Sequence, residues 1–219
     1  MTVGIRSVFA PWRFCVKYFL APRALKDYAT HIPILIGLAQ LREVRSVLEF
    51  GCGHYSTLTF LNASAFPHLE RLHSIENDDS WAQTIAEAAG SDLRWRLQLV
   101  NGEISESVAD LDLESFDLIL IDDSKTSGQR AATIRAVAAK EPKHPWIVIH
   151  DFEFGEYRRA ASAFPHRHRF RAYNPETGVI TNQMNACQVI DRVIKSKAKL
   201  LEPDAVVHWI DSFRQDVQD

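Results

Sequence analysis

The sequence predicts an α/β fold: a doubly wound, mostly parallel sheet with helices on both faces and an antiparallel hairpin at one edge. Three observations predict it. Short β-rich apolar runs alternate with helix-like runs from residue 31 to residue 151. Strand-like runs end in acids or a glycine turn, as in "VLEFGCG" (47–53) and "LILIDD" (118–123). Beyond them, "RHRFRAY" (167–173) and "GVIT" (178–181) flank the turn-rich "NPETG" (174–178), which reads as a hairpin.

The elements follow in order. "HIPILIGLAQL" (31–41) is helical past its proline, and "RSVLEF" (45–50) is a short strand. "STLTFLNAS" (56–64) reads as a helix and "LERLHSIE" (69–76) as a strand. "DSWAQTIAEAAG" (79–90) is a helix stopped by Gly90. "LRWRLQLV" (93–100) alternates at period two, as a strand does. "SFDLILIDD" (115–123) is a strand ending in two acids, "GQRAATIRAVAAK" (128–140) a helix, and "PWIVIHD" (145–151) a buried strand. Right-handed crossovers between parallel strands place these helices on both faces. The tail "AVVHWIDSF" (205–213) has helical apolar spacing and suits packing on the domain or on a second copy, so a homodimer is allowed. The expected division is an N-terminal helical segment (1–44) that packs on or covers the site, a central domain (45–185) and a helical tail (186–219).

Composition excludes several classes. At 219 residues and 46% hydrophobic content the chain can bury a sizeable core and is not a disordered protein. A net charge of -3 supplies no field for nucleic acid. Cys15, Cys52 and Cys187 form no CxxC pair, and their odd number argues against a disulfide framework, so a cytoplasmic location is expected. "SVFAPWRFCVKYFLAP" (7–22) is broken by Arg13 and Lys17 and bracketed by Pro11 and Pro22, so stable membrane insertion is not expected. It reads as a helix packed on the domain, with a membrane-surface segment as the alternative.

In open α/β sheets, ligands bind beyond the carboxyl ends of the strands. Gly51 and Gly53 stand there, followed by Ser56, Thr57 and a helix start, and Glu76 ends the next strand 23 residues after Gly53. A glycine turn, a helix N-terminus and an acid placed for ribose hydroxyls make a nucleoside-cofactor signature. The dinucleotide pattern G-x-G-x-x-G wants a third glycine, and this chain has Ser56 there.

"VLEFGCGHYSTL" resembles motif I of the class I S-adenosylmethionine-dependent methyltransferases, an acid followed by G-x-G. "SIEND" is similar to their second motif, "FDLILIDDS" to the fourth-strand motif and "IVIHDFE" to the fifth-strand end; the likeness runs from residue 31 to 182. The resemblance implies a seven-stranded sheet and S-adenosylmethionine as cofactor. It implies that Glu49, Gly51, Gly53, Ser56 and Thr57 surround the methionine end, although the two hydroxyls could instead only cap the helix. Glu76 would accept the ribose hydroxyls, Asn77 would line the adenine pocket, Gly102 and Glu103 would meet the adenine edge, and Asp122 would border the cofactor. His31 precedes the first strand in a region that often covers the cofactor, though it also reads as a plain helix-end residue.

Asp123, His150 and Asp151 are the expected catalytic residues, since they end adjacent strands on the acceptor side of the crevice. Either Asp123 or His150 serves as base, or Asp123 and Asp151 hold Mg²⁺. The second reading is allowed but not favoured, because His150 and Ser124 stand where a hard cation prefers further oxygen ligands. Phe152, Phe154 and Tyr157 either shape the acceptor pocket or simply pack. "FPHRHRFR" (164–171) either meets an acidic substrate or is a charge-guarded edge. The function expected is methylation of an oxygen on a small molecule or sugar. A nicotinamide oxidoreductase and an inactive binding or scaffold protein of the same fold are the alternatives. No (D/N)PP(Y/F) tetrapeptide of the amino-methylating enzymes follows the fourth strand.

Overall fold

The computed structural model describes residues 29–124, 126–171 and 174–183. The segments 1–28 and 184–219, with the expected N-terminal apolar helix and helical tail, lie outside the described residues, as does Lys125.

The chain begins with helix α1 (Ile32–Leu41), strand β1 (Ser46–Phe50), helix α2 (Thr57–Leu61), strand β2 (Arg71–Glu76) and helix α3 (Asp79–Ala89). Strand β3 (Trp95–Leu99), helix α4 (Ile104–Ser107), strand β4 (Leu118–Ile121), helix α5 (Ser127–Ala139) and strand β5 (Trp146–Ile149) follow. Helix α6 (Gly155–Ala160) leads to strands β6 (His166–Phe170) and β7 (Thr177–Thr181). The strands form one seven-stranded sheet in the order β3-β2-β1-β4-β5-β7-β6. Strands β1 to β5 pair in parallel, while β7 runs antiparallel to both β5 and β6. The expected hairpin therefore closes one edge of the sheet.

Period-two alternation divides the core between the two faces. Val47, Leu72, Leu118, Leu120, Val148 and Val179 pack with Ile32, Leu35 and Leu38 of α1 and Phe60 of α2. Their neighbours Leu48, Ile75, Ile119, Ile121, Ile147 and Ile180 pack on the other face with Ile104 of α4, Ile134 and Val137 of α5 and Tyr157 of α6. Strands β4 and β5 are buried along their whole length, as central parallel strands covered on both sides must be.

Two elements differ from the sequence reading. The helix expected over 56–64 is only Thr57–Leu61, because Asn62 leaves the helical region and its side chain accepts the Ser64 amide instead. "HDFEFGEYRR" is partly helical: α6 buries Tyr157, and Phe152 packs on Gly178, where a Cβ would lie 2.4 Å from the ring. These two aromatics are core, while Phe154 stays 47% exposed.

Candidate functional site

Strand order reverses at β1, whose neighbours β2 and β4 lie on opposite sides, so the crevice opens at its carboxyl end. Backbone bonds extend the sheet one residue past each strand. Gly51 N donates to Ile75 O (2.9 Å), Asp122 N to Phe50 O (2.9 Å) and His150 N to Ile121 O (3.3 Å). Gly51, Asp122 and His150 thus stand in one row along the crevice.

Gly51 has φ +84, and a Cβ there would lie 2.4 Å from Asp122 O and 2.6 Å from Asp123 Cα. The glycine lets the turn press against the chain leaving β4, a packing role the sequence reading did not foresee. Gly53 has no such constraint: its Cβ would meet only Ser56 Oγ, at 3.2 Å.

Glu49 lies on the sheet face that carries Val47 and Leu120, in register beside Ser74, and it is fully buried. Its Oε2 accepts from Thr57 Oγ1 (2.8 Å) and Ser74 Oγ (2.5 Å), and Thr57 Oγ1 in turn accepts from Gly53 N (3.0 Å). Its Oε1 has no hydrogen-bond partner. Burial pushes the Glu49 pKa up to about 7, against the pull of the Ser56, Ser74 and Thr57 hydroxyls. Ser56 lies at the N-cap of α2 without a side-chain cap bond, so the capping role considered for it is not used.

Glu76 Oε1 accepts the amides of Asn77 (2.7 Å) and Asp78 (2.9 Å). Its Oε2 has only the weak Cys52 thiol contact at 3.8 Å. One carboxylate oxygen shapes the turn and the other keeps acceptor capacity to spare. Asn77 Nδ2 donates to Gly102 O (2.8 Å), which ties the ends of β2 and β3 together. Gly102 takes φ +119, and Glu103 accepts from Gln129 Nε2 (2.9 Å). Trp81, not foreseen from the sequence, donates to Cys52 O (2.6 Å) and stands edge-on to His54 at 5.6 Å.

The acids beyond β4 and β5 meet a guanidinium. Arg130, on α5 and 5% exposed, reaches Asp122 Oδ1 (2.7 Å) and Asp151 Oδ2 (2.7 Å), and donates to Ser124 O (2.7 Å). Its Nε lies 3.9 Å from Asp123 Oδ1, and its head sits 5.5 Å from the Tyr157 ring centre. Burial alone would raise the Asp122 pKa, but the charges of Arg130 and His150 outweigh it and hold the carboxyl well below the usual range. Asp123 points inward to the Thr133 hydroxyl, and burial pushes its pKa up to about 6. Asp151 sits at φ +58, a conformation uncommon outside glycine, so the chain bends sharply where it delivers this carboxylate to Arg130.

His150 is 3% exposed. Its Nε2 shares a hydrogen bond with Thr30 Oγ1 (2.9 Å), and its Nδ1 faces Asp122 Oδ1 (3.3 Å) and Asp151 Oδ1 (3.7 Å). Burial lowers its pKa, but Asp122 more than compensates and the net shift is upward. His31 stands edge-on to it, ring centres 4.8 Å apart. The structure therefore brings Asp122, Asp123, His150 and Asp151 together as expected. It adds Thr30, Arg130 and Thr133, which sequence reasoning did not place there, and sets His31, read only as a residue covering the cofactor or ending a helix, beside His150. Among these, the signal for Arg130 was a cation on the apolar side of a helix that follows an acid pair.

Of the two acids considered for Mg²⁺, Asp123 bonds to the Thr133 hydroxyl and Asp151 to Arg130. S-adenosylmethionine fits the other half of the crevice. The unpartnered Glu49 Oε1 suits an ammonium, and Glu76 Oε2, with only the weak thiol contact, suits ribose hydroxyls. In the basic stretch 164–171, which includes the first strand of the hairpin, Arg169 pairs with Glu176.

Fold and turn chemistry define a class I, Rossmann-like cofactor-binding domain. More narrowly, residues 48–152 match the family model described as a methyltransferase domain. No curated protein sequence matches the chain. Among solved structures, cofactor-bound Rv0187 from MTB is 16% identical, with 84% of this chain and 93% of that one covered at a TM-score of 0.54. A candidate O-methyltransferase from Klebsiella pneumoniae is 19% identical over 81% and 88% of the two chains, TM-score 0.53. The spermidine synthase from Thermotoga maritima is 17% identical over 72% of this chain, TM-score 0.53. This chain spans about three-fifths of the length of the two spermidine synthases it matches, 61% and 62%. Among the described residues, no helix is long and apolar enough to cross a membrane.

Proposed function

We propose that this protein is a cytoplasmic enzyme that transfers the methyl group of S-adenosylmethionine to an oxygen of a small molecule or sugar. The observation that carries the reading is the fully buried Glu49 carboxylate, whose free oxygen lies at the glycine turn in the same crevice as the Asp122–His150 row. The cofactor supplies an activated methyl on sulfonium. The chain's part is to hold the nucleoside through Glu76, Asn77 and Gly102, seat the amino-acid end at Glu49, and aim the acceptor from the Asp122, His150 and Asp151 side. Alignment of the acceptor with the methyl group is the main rate contribution asked of the protein. Asp123 turns inward and supports the loop through Thr133, so His150 and Asp151 are the better acceptor-side candidates.

A thermal-shift and calorimetric panel tests this reading. S-adenosylmethionine and its demethylated product should raise the melting temperature by mass action, and NAD should not. A shift with NAD and none with either adenosyl ligand would sink the proposal.

Two predictions refine it. Glu76→Gln keeps an oxygen for the Asn77 and Asp78 amides but puts a donor where Oε2 must accept. Affinity for S-adenosylmethionine should fall by about 1.5–3 kcal/mol with little loss of stability. Unchanged affinity by calorimetry would remove Glu76 from the site.

The second concerns pH. The ammonium of the cofactor needs ionised Glu49, whose pKa in the free protein is about 7. Affinity should therefore weaken as pH falls through that value, with protons released on binding between the lower pKa of the complex and about 7. 5′-Methylthioadenosine, which lacks the amino group, should show no such dependence. Equal pH profiles for the two ligands would place the ammonium elsewhere.

A further inference from the structure

We infer that His31 is the group that receives the acceptor's hydroxyl proton, with His150 as its locked neighbour rather than the base. This rests on the oxygen-methylation reading above. His31 is 1% exposed, and neither of its ring nitrogens has a hydrogen-bond partner. A buried polar group left unpaired is destabilising, so a ring with both nitrogens unmet is an arrangement that packing alone does not favour. One of its nitrogens, an Asp122 oxygen and a His150 nitrogen all lie within 4.8 Å of one another. His31 thus borders the row of strand ends where an acceptor must sit. The Asp122 side chain, 22% exposed, marks the opening beside it.

The other titratable groups of that row each have a partner, although Asp123 keeps its Oδ1, 3.9 Å from Arg130 Nε, without a hydrogen bond. His150 has Thr30 on one nitrogen and Asp122 on the other. Asp122 and Asp151 are bound to Arg130, and Asp123 to Thr133. The charged groups facing His31 are His150 and Arg130, which oppose a proton on it, and Asp122, which favours one; burial adds to the opposition, and the free imidazole is neutral, with its pKa lowered to about 3. A neutral ring with an open lone pair can accept a hydrogen bond from a hydroxyl at any physiological pH.

The transfer balances in atoms and charge. The acceptor oxygen bonds to the methyl carbon, the carbon–sulfur bond breaks with its electron pair kept by sulfur, and the hydroxyl proton passes to a nitrogen of His31. One positive charge leaves the sulfonium and one appears on the imidazole. The loss of the sulfonium charge offsets part of the repulsion that keeps His31 unprotonated beforehand, so the weak base is strengthened at the moment it is used.

The test uses the full chain with phenol, which stays un-ionised near pH 7, as probe and His31→Gln, which keeps the bulk and a hydrogen-bonding group but not the basicity. Ring-nitrogen NMR of the wild type should show His31 neutral near pH 7 and displaced when phenol is added. Labelled S-adenosylmethionine should methylate the probe, with kcat in His31→Gln down by about 10²–10⁴-fold and cofactor affinity unchanged. Full kcat in the variant, or ring nitrogens indifferent to the probe, would overturn the proposal. If the cofactor binds but the probe is not methylated, the oxygen-methylation reading fails, and the NMR shift still decides whether His31 meets a hydroxyl. Mg²⁺ or Zn²⁺ that moves the His31 and His150 signals together, and restores turnover lost to a chelator, would assign the trio to a metal and also overturn it.

Discussion

Arg130→Met is expected to destabilise the protein by about 3–5 kcal/mol near neutral pH, the cost of removing one partner from a buried charge pair. The guanidinium is 5% exposed and bonds to both Asp122 and Asp151 at 2.7 Å. Methionine has comparable length and fills the space beside Tyr157, so the loss reports charge and not a cavity. Arg130→Lys should recover only part of it, because an ammonium cannot reach two carboxylates and the Ser124 carbonyl in the same fixed fork. The pH dependence carries the sign. In the wild type the Asp122 carboxyl is held well below its ordinary range, so its contribution is present above the unfolded pKa and is lost as pH falls through the lower folded value. Without Arg130, burial dominates and the folded pKa rises above the unfolded one. The variant then gains stability as pH falls through that raised value. Denaturant titrations should therefore show the gap between wild type and variant narrowing from about pH 7 to about pH 5. A gap independent of pH, or no gap, would show that Arg130 does not hold these acids.

The same residue shows where sequence reading stops. The elements were legible because their signals are local. "LILI" and "WIVI" are β-rich and uninterrupted, Gly90 ends a helix, and Glu49, Gly51, Gly53 and Glu76 keep a spacing that only a strand–turn–helix–strand unit explains. The acids at the ends of β4 and β5 were also legible, since the parallel pairing places Asp122 beside His150 in register. What faces them was not. Arg130 is a cation on the apolar side of α5, but which acids it reaches is set by how α5 packs on the sheet. Thr30 and His31 come from the segment before β1, more than a hundred residues from His150, and nothing local links them. Gly51 was legible as a turn but its reason was misplaced. The glycine makes room for the backbone of Asp122 and Asp123, and the cofactor side of the turn is shaped instead by Glu49, Thr57 and Ser74.

Gly51→Ala is accordingly expected to damage fold and site together. The residue has φ +84, which costs an L-amino acid about 1–2 kcal/mol. The new Cβ would also lie 2.4 Å from Asp122 O, 2.6 Å from Asp123 Cα and 2.8 Å from Asp122 C. These are backbone atoms of a chain fixed by the Asp122 N to Phe50 O bond, so no side chain can swing aside to relieve the contact. Overpacking of this kind adds about 1–3 kcal/mol, for a total of about 2–5 kcal/mol. The strain can be relieved only by moving the β1 turn or the β4 exit, and either shift separates Gly51 from the Asp122–His150 row. A variant that stays folded should therefore lose both cofactor affinity and turnover. Gly53→Ala is the control: its Cβ meets a single side-chain oxygen at 3.2 Å, and Ser56 can turn away, so the expected stability loss is below about 1 kcal/mol. Denaturation midpoints and calorimetric titration with S-adenosylhomocysteine separate the two variants. Equal stability and equal affinity for Gly51→Ala and Gly53→Ala would mean that the close approach of the first turn to the fourth strand's exit is not what requires glycine.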